Sequence, residues 1–532
     1  MSRTFEVLQQ AKNAGFQLYL EEGELKCKAP KSKLNTHLLS EIKANKEELR
    51  SLLQALQSGQ KHPIPSGEAR DGVPMPLSFG QEELYYHSQL AANSHIYNMP
   101  FRVDIKGRLC VDSLCAGFSQ IVQRHRILRT RYQFDIKGVF QVSEPFEKVA
   151  FEVSKVDLNA LSDTEKANRL QQLTQQEALV PFDLSKPLML RAKLVSLTTD
   201  SYTLLVTLHH IAADAWSVSL LLNELRHLYS QLSCGVQVIL PEPELHYADY
   251  ALWQSKTESE KAYQEDKIFW KNHLREIPAP LELGHSSGYP DRGEQSVRVR
   301  INEVHCSELR TLARALGVST YRLAITAFAA ALAAKSQREH FVITTNSADR
   351  ANSQLSSTVG YLVSVIPLKF DLRHSNSWLD LIKNCDALLK QNLSHQNLSY
   401  AQIIGTANED NARDNLEHIK RINFEYVAID FSQAQWPGVD VTIQPCASEC
   451  LKQDVNFTFR DDGKTHIGGS FQYQSKAITA ETAASIAQCW QEAIAAMLHD
   501  VDSSWRLTSA KIRSTDSEAC NMGACTPNTL EP

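Results

Sequence analysis

The chain has 532 residues, 43% of them hydrophobic and 22% charged, with a formal net charge of −6 and a pI near 6.3. A length of this order predicts roughly two to four units, each able to bury its own core, and the mild acidity argues against a general nucleic-acid binder. No apolar run reaches the length of a membrane span, and the opening "MSRTFEVLQQAKNAGF" lacks the apolar core and cleavage site of an export signal, so the cytoplasm is the expected compartment.

Taken in chain order, residues 1–56 read as helix, hairpin, helix. Phe5, Leu8 and Ala11 form a helical stripe that Gly15 ends. "FQLYL" and "LKCK" alternate on either side of "EEGE", which predicts a β-hairpin over 16–28. Leu39, Ile42, Leu49, Leu52, Leu53 and Leu56 share a broad helical face. Residues 57–74, "QSGQKHPIPSGEARDGVP", have the composition of a linker. Helices are predicted over 111–128, 215–232, 306–335 and 480–498, and strands over 202–208, 340–345 and 361–369, an α/β architecture of two or more layers. The polar end, 506–532, reads as a flexible tail. The 11 cysteines are scattered, and the close pairs Cys110/Cys115, Cys446/Cys450 and Cys520/Cys525 lack zinc-site spacing, so reduced thiols and no metal are expected.

The stretch "TLHHIAADAWS", Thr207 to Ser217, draws attention because an apolar, β-branched run stops at two histidines. Side chains alternate along a strand, so His209 and His210 should diverge, one toward a cavity and one inward. Asp214 precedes a helix whose face is marked by Val218, Leu221, Leu225 and Leu228. In one reading the aspartate is an N-cap, worth about 0.5–2 kcal/mol, and the histidines are satisfied core groups. In the other, an imidazole near neutrality takes the proton of an attacking amine or hydroxyl while the aspartate holds the turn or pairs with an arginine. The residues alone leave both open.

"HHIAADAWS" resembles the His-His-x-x-x-Asp-Gly signature of the condensation domains of nonribosomal peptide synthetases. Further matches follow in the family's order: "LSFGQEELYY" at Leu77–Tyr86, "RHRILRTRY" at Arg124–Tyr132, "HYADYALWQ" at His246–Gln254, and a weaker "TVGYLVSVIPL" at Thr358–Leu368. "GFQLYLEEGELKCKAP" is similar to the β-hairpin docking domains of such synthetases. The resemblance implies an α/β, two-lobed, chloramphenicol acetyltransferase-like condensation fold preceded by a small α-β-β-α docking domain. The expected divisions are docking domain 1–56, linker 57–74, N-lobe 75–255, inter-lobe connection 256–294, C-lobe 295–505 and tail 506–532.

The same resemblance implies an acyltransferase that joins a carrier-bound polyketide or peptidyl thioester to an amine or hydroxyl, with release as ester or amide. His210, Asp214 and His209 are the candidate catalytic group, with His210 as its centre and His209 expected to be structural. Arg350, in "TTNSADR", is the expected partner of Asp214 from the second lobe. Arg129 and Arg124 are expected to brace the fold near the site, and Tyr247, Asp249 and Trp253 to be structural. Two departures from the family pattern stand out: Ala215 where glycine is usual, and Ser364 with Val365 in place of Asn-Thr.

For partner docking, the candidates are Leu18, Leu20, Leu25, Lys26, Lys28, Lys31 and Lys33, facing a short acidic motif at the C-terminus of an upstream carrier protein. The lysines could equally serve only to protect a strand edge. No cofactor is expected to be bound covalently, the substrate riding on the phosphopantetheine of a separate carrier. The acceptor is expected as a free small molecule or a second carrier, with no nucleic acid and no membrane partner. No adenylation or carrier domain is apparent, so the chain reads as a free-standing condensation enzyme. The alternatives are a non-catalytic module that recruits a carrier and an epimerisation domain.

Overall fold

The structure, a computed structural model, describes residues 64–506 apart from 91–93, 137, 285–292, 349, 351, 409–415, 428–434, 447–450, 452 and 464–465, and before them residues 11, 16–21, 24–28, 42–43, 46 and 49–50. The chain forms two compact units: Met1–Gln264 with Ala348–Ser364 and Ala428–Ser448, and Glu265–Ser347 with Val365–Val427 and Glu449–Pro532. The linear division expected from the sequence put 348–364 and 428–448 in the C-lobe. They pack in the first unit instead, because Arg350 and residues 358–362 bond to Asp214 and Ser217, and Val439–Pro445 pairs along Asn98–Gly107.

The first unit is built on a six-stranded sheet in the order Gln435–Trp436, Val439–Pro445, Asn98–Gly107, Ser201–His209, Leu190–Thr198, Ser154–Asp157. Its pairs are antiparallel except the last. Ser201–His209 lies at its centre, and seven consecutive residues from Thr203 to His209 are buried, as a strand covered on both faces requires. On one face, Leu114, Phe118 and Ile121 of the helix Val111–Arg124 interlock with Leu221, Leu225 and Leu228 of the helix Ala215–Ser233. On the other, Leu170 and Leu173 of Asp163–Leu179 meet Val195 and Leu205. Each fully buried leucine contributes about 1.5–3 kcal/mol relative to exposure. The helix expected over 111–128 ends at Arg124, and a 3-10 turn, Arg126–Arg129, carries the rest.

Composition made 57–74 a linker, yet its described part, from Ile64, is a packed strap. The Ala69 N–H donates to Asp249 Oδ1 at 2.7 Å, Arg126 Nη1 to the Ala69 carbonyl at 2.6 Å, and Arg129 pairs with Asp71 at 2.8 Å. The polar residues that suggest a loop are the ones the fold uses as ties. Residues 57–63 lie outside the described residues.

The second unit has its own six-stranded sheet, in the order Glu294–Arg300, Ile467–Gln474, Val455–Asp461, Ile422–Tyr426, His340–Ala348, Val363–Asp371. Phe424, Phe457 and Phe471 meet Phe328 and Trp490 from the helices Thr320–Ser336 and Ala480–His499. The single helix expected over 306–335 is two, Glu303–Leu316 and Thr320–Ser336, bent by 104°. Gly317 takes a left-handed φ of 65° and Ser319 caps the next helix through the Arg322 N–H, so the chain turns where the apolar pattern continues. Among the described residues no single helix is long and apolar enough to cross a membrane, and the apolar run Leu323–Ala334 is buried within this unit.

In the N-terminal segment the predicted hairpin pairs Gln17–Glu21 with Glu24–Lys28, Leu18 opposite Cys27 and Leu20 opposite Leu25. Leu18 and Leu25 pack on a small core of Ala11, Phe16, Ile42 and Leu49. Glu24 binds Lys46 at 2.9 Å, tying the hairpin turn to the following helical segment.

Candidate active site

The strand Ser201–His209 and the helix Ala215–Ser233 are joined by a five-residue loop, His210–Asp214, whose Ile211, Ala212 and Ala213 are buried in the core and whose two ends carry polar contacts. His209 is 1% exposed, and its Nδ1 accepts the Ile211 N–H at 3.1 Å. Its ring lies between Tyr97 and Phe182, with centroids 6.1 and 5.7 Å away. The two histidines diverge as the strand alternation requires. The His210 N–H donates to the Tyr97 carbonyl at 2.9 Å, extending the sheet by one bond, while its Nδ1 lies 3.0 Å from the Ala213 carbonyl. A carbonyl oxygen only accepts, so Nδ1 carries the proton and Nε2 carries the lone pair of the neutral ring. The Tyr361 ring stands edge-on to this imidazole, 5.3 Å between centroids at 84°.

Asp214 is the N-cap of the helix Ala215–Ser233 and the hub of the loop, 1% exposed. Its Oδ1 accepts the Ser217 N–H and the Ser217 hydroxyl, both at 2.7 Å, and its Oδ2 accepts the Leu362 N–H at 3.2 Å. Arg350 Nη2 reaches both oxygens at 2.9 Å. The same guanidinium donates through Nη1 to the carbonyls of Leu355 and Thr358, at 2.6 and 2.8 Å. The expected Asp214–Arg350 pair is thus present as a buried, multiply bonded brace, with Ser217 as a third member that sequence reasoning passed over. Because the Ser217 amide is taken by Asp214, it is not an oxyanion donor.

Ala215 opens the helix in ordinary right-handed conformation. Among the described residues only Leu188 and Gln337, apart from glycines, have positive φ. The usual glycine's conformational freedom is therefore not called upon here, and the alanine methyl costs no backbone strain. Ser364 is half-buried at the start of Val363–Asp371.

Three of the sequence motifs converge on this loop. From "LSFGQEELYY", Gln81 Nε2 donates to the Ile211 carbonyl at 3.2 Å and to Tyr132 Oη at 3.1 Å. From "HYADYALWQ", Tyr247 Oη donates to the Tyr361 carbonyl at 2.6 Å and meets Ser78 Oγ at 2.7 Å. From "TVGYLVSVIPL", Gly360 bonds Ser217 Oγ through both its N–H and its carbonyl. A Cβ on Gly360 would lie 1.8 Å from Tyr247 Cδ2, so that glycine is demanded by close approach. Gln81, Ser217, Gly360 and Tyr361 stand inside or beside these motifs, but only the folded chain shows that they meet.

Arg129 is buried and binds Asp71, the Gln123 carbonyl and the Glu144 carbonyl, so it ties the strap to the Arg126–Arg129 turn. Arg124 and His125 share Glu224 on the helix Ala215–Ser233. Burial pushes the Glu224 carboxyl up, but those two partners outweigh it and hold it below its usual range. At the hairpin, Lys26 and Lys28 are exposed, whereas Leu18 and Leu25 are partly buried against the small core. The side chain of Leu20, and Lys31 and Lys33 altogether, lie outside the described residues.

A histidine at the end of a central strand, its loop locked by a buried carboxylate–guanidinium brace on this α/β framework, places the chain among condensation-type proteins. Residues 74–514 match the condensation domain and residues 6–55 the TubC N-terminal docking domain. The chain belongs to the condensation-domain family of the nonribosomal peptide synthetases, and carries a docking domain ahead of that domain. It is 27% identical over 434 residues to malpibaldin synthetase of Mortierella alpina, covering 81% of this chain and 8% of that protein. With one of the linear gramicidin synthase proteins of Brevibacillus parabrevis it shares 30% over 352 residues, 65% of this chain and 7% of that one. The chain therefore spans under a tenth of either relative. Similar folds include the X-domain from teicoplanin biosynthesis in complex with OxyB, with a TM-score of 0.71 at 21% identity over 84% of this chain and 98% of that one. The first condensation domain of the calcium-dependent antibiotic synthetase, in complex with a substrate analogue, gives 0.68 at 16% over 82% and 98%.

Proposed function

We propose that this protein condenses an acyl thioester held on a carrier protein's phosphopantetheine with an amine or hydroxyl acceptor, His210 serving as the base that orients and deprotonates the acceptor. The observation that carries this reading is the His210 Nδ1–Ala213 carbonyl bond, which leaves the ring's lone pair on Nε2. The acceptor's heteroatom attacks the thioester carbonyl and its proton passes to Nε2. The C–S bond then breaks, and the departing pantetheine thiolate recovers that proton from the imidazolium. The product is an amide or ester, and the carrier is left with a free thiol.

Asp214 and His209 act by position rather than by proton transfer. The carboxylate is occupied by Ser217, Arg350 and Leu362, and His209 is packed inward. The donor arrives on a separate carrier whose acidic C-terminal segment adds to the N-terminal hairpin, a reading supported by the docking-domain match and by exposed Lys26 and Lys28. The acceptor is supplied in trans, as a small molecule or on a second carrier, and the product leaves as ester or amide.

Replacing His210 by alanine should lower turnover of a carrier-bound donor by about 10²- to 10⁴-fold, the usual worth of a general base. Wild-type turnover by a folded His210→Ala protein would remove the catalytic reading. It would favour a recruitment role instead, for which the similarity to an X-domain seen in complex with OxyB is the supporting observation.

A further inference from the structure

The His210 ring is steered by more than its own hydrogen bond. Tyr361 stands perpendicular to it, 5.3 Å away, and is itself gripped from three sides. Its carbonyl accepts from Tyr247 Oη at 2.6 Å. The residues on either side of it, Gly360 and Leu362, are bonded to Ser217 and Asp214. The Cδ1–Cε1 edge of its ring abuts Gly80, in the first turn of the helix Phe79–Leu90, so closely that a Cβ there would sit 2.8 Å from Tyr361 Cε1. The next residue, Gln81, holds the Ile211 carbonyl one step beyond His210. One helix start thus fixes both the histidine loop and the ring that abuts the histidine.

We infer that Tyr361 is a positioning residue for His210, its ring acting as a wall that sets the plane of the imidazole and the direction of Nε2, with Gly80 as the backstop that keeps this wall in place. The Nδ1–Ala213 bond anchors one edge of the imidazole. The perpendicular Tyr361 contact adds a restraint on the plane of the ring, because edge-to-face packing is a favoured aromatic geometry and a rigid ring cannot follow a turning neighbour. The hydroxyl is not needed for this. The ionisable groups whose charge reaches Tyr361 are Glu83, Tyr97, Tyr247 and Asp214, and Arg350 is bonded to the last of these. The wall's part in catalysis rests on the function proposed above, but its geometry does not.

The test reads His210 directly in the full chain, by the proton resonance of its ring carbon Cε1 and by its rate of acylation with diethyl pyrocarbonate. The resonance is assigned by its disappearance in His210→Ala. Tyr361→Leu should shift the resonance by loss of the ring current and change the acylation rate several-fold. Tyr361→Phe, which keeps the ring, should restore both. With a donor carrier, kcat should fall about tenfold or more in Tyr361→Leu and KM change little, since misplacing a reacting group acts on the transition state. A folded Tyr361→Leu protein with wild-type resonance and acylation rate overturns the proposal. Should that variant not fold, Gly80→Ala decides, because alanine suits a helix and its methyl must displace the ring. An unchanged His210 signal in folded Gly80→Ala is equally fatal. An altered His210 signal together with a wild-type chain that condenses nothing would instead sink the proposed function and leave the positioning role standing.

Discussion

Asp214 and Arg350 show how much of the loop depends on one buried pair. Both are nearly solvent-free, and Ser217, Leu362, Leu355 and Thr358 meet their other hydrogen-bonding groups except Arg350 Nε, which is buried without a hydrogen bond. Truncating one partner strands a buried charge, so Asp214→Ala and Arg350→Met should each cost about 3–5 kcal/mol. Removing both should cost less than the sum, and a double-mutant cycle in urea measures the coupling. Ala215 belongs to the same scale. Since its φ is right-handed, Ala215→Gly relieves no strain and should lower stability by up to about 1 kcal/mol through the helix preference for alanine. A rise in melting temperature would show that the methyl is strained after all. The pairing of Asp214 with Arg350 was legible because both stand in recognisable motifs. Ser217 was not, because nothing in the spacing Asp-x-x-Ser distinguishes a cap from a brace.

At the scale of elements, the close approaches are what a linear reading misses. The segment 358–362 passes so near the helix Tyr247–Lys256 that Gly360 leaves no room for a methyl group beside the Tyr247 ring. Gly360→Ala should therefore destabilise by about 1–3 kcal/mol or more, as overpacking does, and a smaller residue at 247 should recover part of the loss in the same denaturation assay. The elements with strong periodicity, Ser201–His209, Ala215–Ser233 and Ala480–His499, lie where alternation and helical stripes put them, to within a residue or two. The break at Gly317–Ser319 was hidden because the apolar pattern runs straight through it, and only the left-handed glycine and the serine cap mark the turn. The strap from Ile64 was misread for a related reason. Its polar composition is that of a loop, and the arginines and the aspartate that bind it lie far along the chain.

Across the whole molecule, each unit contains a histidine that burial keeps neutral. His246 in the first is held down to about 4 by burial and by Arg126, and His273 in the second to about 4 by burial and by Lys369. In the unfolded chain both protonate near 6.5, so the unfolded state binds more protons as the pH falls below that value. Stability from each histidine is complete above pH 6.5 and is lost progressively toward pH 4, roughly 3 kcal/mol apiece. Melting temperatures between pH 4 and 7 should fall less steeply in His246→Gln and His273→Gln than in the parent. The docking domain makes a prediction at the same scale. Deleting residues 1–56 should weaken capture of a carrier-bound donor while sparing reaction with a small thioester mimic, and Lys26→Glu with Lys28→Glu should reproduce part of the loss in a salt-dependent way. Equal efficiency with the intact carrier before and after deletion would dispose of the docking role.

The sequence by itself determined the class of fold, the hairpin ahead of it and the histidine at the strand end. Those depend on periodicity, turn chemistry and short ordered motifs, which are local properties of a chain. The tertiary structure alone decided what holds His210, why alanine is admissible at 215, what Leu18 and Leu25 pack against, and how 348–364 and 428–448 join the first unit. Most of these depend on residues far apart in sequence, as Gln81 with Ile211 and Arg350 with Asp214, and neither hydrophobic pattern nor spacing encodes which distant polar groups meet once the core has closed.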